Sequence, residues 1–559
     1  MNKTRTTVSL VCLAIFTILL FTACGRSTTQ ESIEPSQEYP LLQILPDPVY
    51  SQEQDDDAPS TTYIASSTIK PAYPLQEHLT LQDLLNTAYE RRLHIYMPST
   101  ERLVELTDGR KPNTFNMLYD FTERPIHSRL TLQNILHDVQ LFFDILREVY
   151  GGYLYFGGDD VFLPIFDEIL EELIRQDQSV WTVHNIVRIV HNGLGPVIND
   201  EHLSFGHGSD FLSNYTVLTS LEQFDRTERG FISRSNGMYV KEIVGHDKEK
   251  IFFLTVSPYG EFLYTPVLTG YRNKATSLTI IYENMESEVL EMHDTNNTER
   301  SPRQSPSLEF IDGFPIVTIN QMYFETVGSG SWMYENANIF HSFVDKVRNE
   351  PAIIIDLRNN GGGNGLLAPR WLYNLVGEFV PSNRVQLAVE SYDFFTYRSE
   401  SNNPSNPSNP SNPFYQPMCE IRMQSVSVPF GDKHVVIYST DPARGMVMVE
   451  NDQIIIFLTS RHTRSAAEDF IDRGFNLENT LVIGQNTGGK LFTNLCYPWR
   501  RLPYTGISFG VGGRVAIHAE AHNFREGVGF APDVWVNHPD DALPAALAIL
   551  RNHFYGIES

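Results

Sequence analysis

The sequence predicts an α/β fold for its C-terminal half, preceded by a helical domain and a small β domain, on three observations. The short apolar runs Ala352-Ile353-Ile354-Ile355, Ile454-Ile455-Ile456-Phe457-Leu458 and Leu481-Val482-Ile483 are each bounded by Gly, Asn or Thr-rich turns, the pattern of buried strands. Stretches of helical periodicity, as at Trp332 to Val347 and from Ser465 onward, alternate with them, and alternation of strand and helix implies helices packed on a sheet. With 559 residues, 41% of them hydrophobic, the chain is long enough for two or three domains with their own cores.

In chain order, Met1 to Ala23 carries Lys3 and Arg5, an apolar stretch from Val8 to Phe21, then small residues, which reads as a signal peptide (1–23) rather than a spanning helix. Phe21-Thr22-Ala23-Cys24 resembles a loose bacterial lipobox, so Cys24 is the expected lipidation site, with a lipid anchor holding the protein in the bacterial cell envelope, facing the periplasm or exterior. Phe21 departs from the usual leucine, which leaves cleavage by the general signal peptidase as the alternative. Residues 24–77 are rich in Ser, Thr, Gln, Pro and Glu and read as a disordered tether, because such a composition buries too little surface to offset chain entropy.

Residues 78–210 form the expected helical domain, with apolar positions at i, i+3, i+4 and i+7 through Leu81 to Tyr89, Leu132 to Leu146, Phe162 to Arg175 and Val180 to His191. Residues 211–306 are strand-like, as at Tyr239 to Val244 and Ser277 to Tyr282, and form the expected small β domain. Residues 307–555 are the expected core, interrupted at 401–413 by tandem Ser-Asn-Pro, a low-complexity loop without chemistry.

Three strand ends in the core carry the chemistry. Asp356-Leu357-Arg358-Asn359-Asn360-Gly361-Gly362-Gly363 ends a strand in a loop of small residues that exposes backbone N–H groups. Ser465-Ala466-Ala467-Glu468 opens a helix, and Gly484-Gln485-Asn486-Thr487-Gly488-Gly489-Lys490 ends a third strand on a lysine. Each has a plain reading beside the catalytic one: Ser465 with Glu468 fits a capping box, the glycine run a tight turn, and Lys490 a solvated surface cation. The glycine spacing does not fit a phosphate-binding loop. A formal net charge of −26 argues against nucleic acid. No Cys/His cluster has zinc spacing, so neither metal nor other cofactor is expected. Of the four cysteines, Cys419 and Cys496 fall in the expected soluble part and read equally well as a disulfide or as two thiols.

In their order and spacing, Asp356 to Gly363, Ser465 to Glu468 and Gly484 to Lys490 resemble the tail-specific, or C-terminal processing, serine proteases and their relatives built around the tricorn protease core. Glu526-Gly527-Val528-Gly529-Phe530-Ala531-Pro532-Asp533 resembles the segment that closes that core, and the likeness covers roughly 308–550. The resemblance implies a ClpP/crotonase-like ββα core and an endopeptidase that cleaves polypeptides through a Ser465 acyl-enzyme. It implies oxyanion donors from Ala466 and from Gly362 or Gly363, with Glu468 and Thr487 in support. Asp356 and Arg358 are expected to pair structurally. Family members usually carry a peptide-binding PDZ module where 211–306 lies, but its carboxylate-binding loop is not found here.

Two bases remain open for Ser465. Lys490 fits a serine–lysine dyad, if burial beside Ser465 lowers its pKa from about 10.4 toward neutrality, and we take it as the first candidate. His202, in Asp200-Glu201-His202, resembles the histidine of tricorn-type relatives, and with Glu526 it makes a triad. Two further functions stay open at this stage: a non-catalytic peptide-binding lipoprotein that keeps the fold, and an esterase using the same serine. The sequence does not fix the oligomeric state.

Overall fold

The computed structural model describes residues 79–93, 130–176, 181–206, 210–211, 215–257, 260–271, 276–295, 306–322, 338–365, 367–390, 424–430, 433–439, 448–496, 500–518 and 524–556. The expected signal peptide, the tether with Cys24, the 401–413 insertion and Cys419 lie outside them.

Helix α1 (Leu81–Leu93) starts on a reciprocal cap in which Thr80 N–H donates to Asp83 Oδ2 at 2.9 Å and Asp83 N–H to Thr80 Oγ1 at 3.2 Å. Its apolar stripe, Leu81, Leu84, Leu85 and Ala88, packs into the same core as the catalytic-half strands. At its far end the buried Arg92 donates to Thr480 O at 2.8 Å and Asp533 Oδ2 at 2.7 Å, so the charge is removed from water only with a carboxylate opposite.

Helices α2 (Leu132–Val149), α3 (Asp159–Arg175) and α4 (Val183–Leu194) follow, α2 and α4 each begun by a threonine, Thr131 and Thr182, whose hydroxyl accepts an N–H of the first turn. They share a core with Leu203 and Phe205 of strand β1 (Asp200–Phe205) and with Phe509 and Val511 downstream. β1 pairs antiparallel with Ser508–Gly510, and of its residues only His202 is not fully buried.

A parallel run dominates the largest sheet. It includes β2 (Phe252–Val256), β3 (Phe314–Thr318), β4 (Ala352–Asp356), β5 (Ile454–Thr459), β6 (Thr480–Gly484) and β7 (Val534–Trp535), in the spatial order β3-β4-β5-β6-β7-β2. Both faces are covered, which is why these strands read as continuous apolar runs rather than as alternation. Along β4, Ala352 and Ile354 face the core shared with α1 and the C-terminal helix at Ala542–Tyr555. Ile353 and Ile355 face the opposite core, with Trp371 of the helix at Leu367–Val376 and with Phe470 and Ile471 of the helix at Ala466–Gly474.

The strands from Tyr215 to Asp294 belong to this same sheet. β2 pairs with β7 through Trp535 and Thr255, the Thr255 hydroxyl donates to Trp535 O at 2.7 Å, and beyond β2 the sheet continues antiparallel. A separate five-stranded antiparallel sheet takes in Arg384–Glu390, Gly512–His518 and Thr493–Cys496. Thus β4, β5 and β6 all end on one side, and their C-terminal turns meet there, the usual place for a site in an open α/β sheet. Among the described residues no helix is long and apolar enough to cross a membrane.

Candidate active site

Ser465 stands at the head of the helix Ala466–Gly474 with φ 54° and ψ −120°, a conformation that non-glycine residues rarely hold. Strain of this kind costs about 1–3 kcal/mol and persists where the surroundings over-determine it. Here they do. Glu468 Oε2 accepts the Ser465 N–H at 2.9 Å, and Arg464 N–H is tied to Asn360 O at 2.9 Å. Ser465 and Glu468 thus form the expected capping box, and the serine hydroxyl also lies 3.1 Å from His202 Nε2, on an imidazole brought from 263 positions upstream. For Nε2 to accept the hydroxyl proton, the ring must carry its own proton on Nδ1.

His202 sits among buried acids. One ligand-type atom each of Asp200, His202 and Glu526 lie within 4.8 Å of one another. Asp200 accepts the His202 N–H at 2.9 Å, the Tyr150 hydroxyl at 2.8 Å and the Thr493 hydroxyl at 3.0 Å. Glu526 accepts the N–H groups of Glu201 at 2.9 Å, Leu491 at 3.1 Å and Phe492 at 2.9 Å. A cation held by this trio would have to compete with those donors. Burial raises the pKa of Asp200, although its donors and the charge of Lys490 oppose the rise. Burial, then the nearby Asp200 and Glu201 carboxylates, pushes Glu526 well above the ordinary range. Burial, then the positive charge of Lys490, pushes the His202 imidazole down to about 3, against the Thr493 main chain beside it. The imidazole is therefore neutral, and able to accept a proton, across the neutral pH range.

Lys490 is half-buried, and its main-chain N–H donates to Glu468 Oε2 at 2.7 Å. Its charge is felt at His202 and Asp200, but among the described residues the Ser465 hydroxyl is hydrogen-bonded to His202 and not to Lys490. The sequence alone favoured the lysine because the serine–lysine spacing is local to the core, whereas the histidine arrives on β1.

Glu468 is fully buried and accepts four donors: Ser465 N–H, Lys490 N–H, Gly489 N–H at 2.7 Å and the Thr487 hydroxyl at 2.6 Å. Both residues expected in support therefore join the serine turn to the 484–490 turn. Thr487 also accepts Phe530 N–H at 2.8 Å, which brings in the Glu526 segment.

The glycine loop lies against the serine. A Cβ on Gly362 would stand 2.6 Å from Ser465 Cβ and 3.1 Å from Ala466 N, and both Gly362 (φ 98°) and Gly363 (φ 139°) are in the region that favours glycine. Gly362 N–H donates to Asn360 Oδ1 at 2.9 Å, so of the two glycines Gly363 is the one whose N–H is not drawn back into the loop. Ala466 N–H is in the first turn of its helix, where no intrahelical carbonyl serves it. Asp356 and Arg358 form a buried bidentate pair at 2.7 and 2.8 Å, and Arg358 also reaches Pro539 O at 2.8 Å.

Sequence reasoning passed over Arg461. It is fully buried, its guanidinium donating to the carbonyls of Thr487, Gly527 and, at 2.7 Å, Val528, so it locks the serine turn to both neighbouring turns. Its only sequence signal is an arginine between a buried strand and a helix start. Tyr150 and Thr493, on either side of Asp200, carried no signal at all.

Residues 316–536 match the family model described as Peptidase family S41. No curated protein matches the chain. Among solved structures, mature CPAF complexed with lactacystin is similar at 14% identity and TM-score 0.35, over 76% of this chain and 99% of that one. The photosystem II D1 C-terminal processing protease is similar at 12% identity and TM-score 0.31, over 76% and 97%. The tricorn protease is similar at 13% identity and TM-score 0.29, over 75% of this chain and 36% of that one. The family match spans Ser465, the glycine loop, the Lys490 turn and Glu526, while His202 lies outside it. Residues 316–536 accordingly belong to peptidase family S41, and the chain is a serine peptidase.

Proposed function

We propose that this chain is an exported endopeptidase of the tail-specific kind, in which Ser465 attacks the peptide carbonyl and His202 takes its proton. The 3.1 Å contact between Ser465 Oγ and His202 Nε2 carries the assignment, because a serine is a weak nucleophile until a positioned base removes its proton. As the tetrahedral intermediate forms, charge grows on the carbonyl oxygen, and the N–H groups of Ala466 and Gly363 are the donors placed to meet it. His202, now an imidazolium with Asp200 and Glu526 within 4.8 Å, passes its proton to the leaving amine. Water then enters by the same route in reverse and frees the serine. Burial first, and then the charge of Lys490, keep the resting imidazole neutral.

The ClpP/crotonase-like core is favoured by the order of strand, turn and serine-bearing helix along β4, β5 and β6. Export and lipid anchoring rest on Phe21 to Cys24. Preference for protein C-termini rests on the resemblance of the three core motifs.

A fluorophosphonate probe tests the nucleophile: labelling of the wild type that disappears in Ser465→Ala supports it, and undiminished labelling in that variant overturns it. Comparison of protein C-termini between a deletion strain and its parent tests the substrate class, and unchanged C-termini count against it.

A further inference from the structure

We infer that Glu201 and Arg464 form a positioning clamp that sets the distance between base and nucleophile. Each immediately precedes a reacting residue, Glu201 before His202 and Arg464 before Ser465. Their side chains meet, Arg464 Nη1 to Glu201 Oε2, at 3.5 Å. The two segments, 263 positions apart, thus touch twice: once through the reacting atoms and once through the residues just upstream of them.

Both partners are held from behind. The Glu201 side chain is buried, and its main-chain N–H is spent on Glu526 Oε1 at 2.9 Å, so the backbone that carries the carboxylate is tied to the acid cluster around His202. Arg464 donates through Nε to Arg461 O at 3.0 Å, and its own N–H is bound to Asn360 O. The arginine stem runs over Gly488, where a Cβ would stand 2.3 Å from Arg464 Cγ and 2.8 Å from Arg461 O. Gly488 does not need its glycine for a left-handed turn. It needs it so that the stem of Arg464 can pass toward Glu201.

A carboxylate–guanidinium pair beside a reacting pair matters through geometry, since misplacement by about 1 Å can cost about 10²-fold in rate. Neither residue is assigned a part in proton transfer, and the clamp rests on the reading of Ser465 with His202 as the reacting pair.

The test measures kcat and KM on one peptide substrate for Glu201→Gln, Arg464→Gln, the double variant, Arg464→Lys, Gly488→Ala and His202→Ala. Either single loss at the clamp is expected to lower kcat about 10- to 100-fold with KM within about threefold, and the double variant to be no worse than the poorer single one, because both remove one interaction. Arg464→Lys keeps a charge in reach and is expected to recover most of the rate, whereas Gly488→Ala, with both charged partners intact, is expected to reproduce the loss. Wild-type kcat in both Glu201→Gln and Arg464→Gln, or fully additive losses in the double variant, overturns the clamp. Failure of the base assignment looks different: His202→Ala then keeps the wild-type rate whatever the clamp variants do. Should Arg464→Gln fail to fold, Glu201→Gln and Gly488→Ala carry the same decision.

Discussion

The main-chain N–H of Lys490 donates to Glu468 Oε2 at 2.7 Å, which ties the lysine's backbone to the scaffold behind the serine. Burial raises the pKa of Glu468 while its hydrogen bonds from Thr487, Lys490, Gly489 and Ser465 pull it down. Glu468→Gln replaces one acceptor oxygen by an NH₂ group, leaving at least one buried donor facing another. The expected result is a loss of about 1–3 kcal/mol in unfolding free energy, the cost of an unsatisfied buried polar group. kcat is expected to fall with it, because Ser465 N–H and the Lys490 turn lose a common anchor. Denaturant titration and kcat on a peptide substrate check both, and unchanged values in each contradict the role.

Ser465 at φ 54° separates stability from activity. Glycine adopts that backbone without penalty, so Ser465→Gly is expected to abolish hydrolysis while raising stability by about 1 kcal/mol, at the low end of the strain such residues store. Ser465→Ala keeps a Cβ and is expected to abolish hydrolysis with little gain. Thermal unfolding of the two variants side by side checks this, and equal unfolding temperatures count against stored strain.

With His202 as the proposed base, its neutral form is the active one, and with the imidazole held near 3 the acid limb of kcat/KM is expected well below the ordinary histidine value of about 6.5. Lys490→Met removes a cation that disfavours the imidazolium. The folded-state pKa then rises, and the acid limb moves to higher pH, while burial, the larger of the two causes that lower it, stays in place. A limb that stays in place or moves to lower pH in Lys490→Met refutes the electrostatic role.

The sequence made the catalytic half legible because its information is local. Ile353, Ile456 and Val482 lie in buried apolar runs, and the glycines after them mark turns at which chain direction and side-chain size are both constrained. Ser465 and Glu468 could be placed at a helix start, but a capping serine and a nucleophilic one share the same spacing. Ser465 stands in both, and only the backbone at φ 54° and the contact of its hydroxyl with His202 mark the second. His202 was legible as a candidate and not as the contacting base, because its approach depends on β1 pairing with Ser508–Gly510, a long-range register that no periodicity encodes. The same holds for Arg461 and Arg464, whose partners are carbonyls and a carboxylate from distant turns. The continuity of the strands from Tyr215 to Asp294 with the main sheet rests on the single pairing of Trp535 with Thr255, too small a feature to leave a pattern.

The most direct test of the Ser465–His202 pair is kcat for His202→Ala and Lys490→Ala on one peptide. With His202 as the base, His202→Ala is expected to lose at least about 10³ in kcat, the scale on which loss of a catalytic-unit member is felt. Lys490→Ala, which removes a charge 25 positions after the serine but no proton acceptor, is expected to lose about tenfold or less. The reverse order, a large loss in Lys490→Ala with His202→Ala near the wild-type rate, contradicts the assignment and returns the base to the lysine.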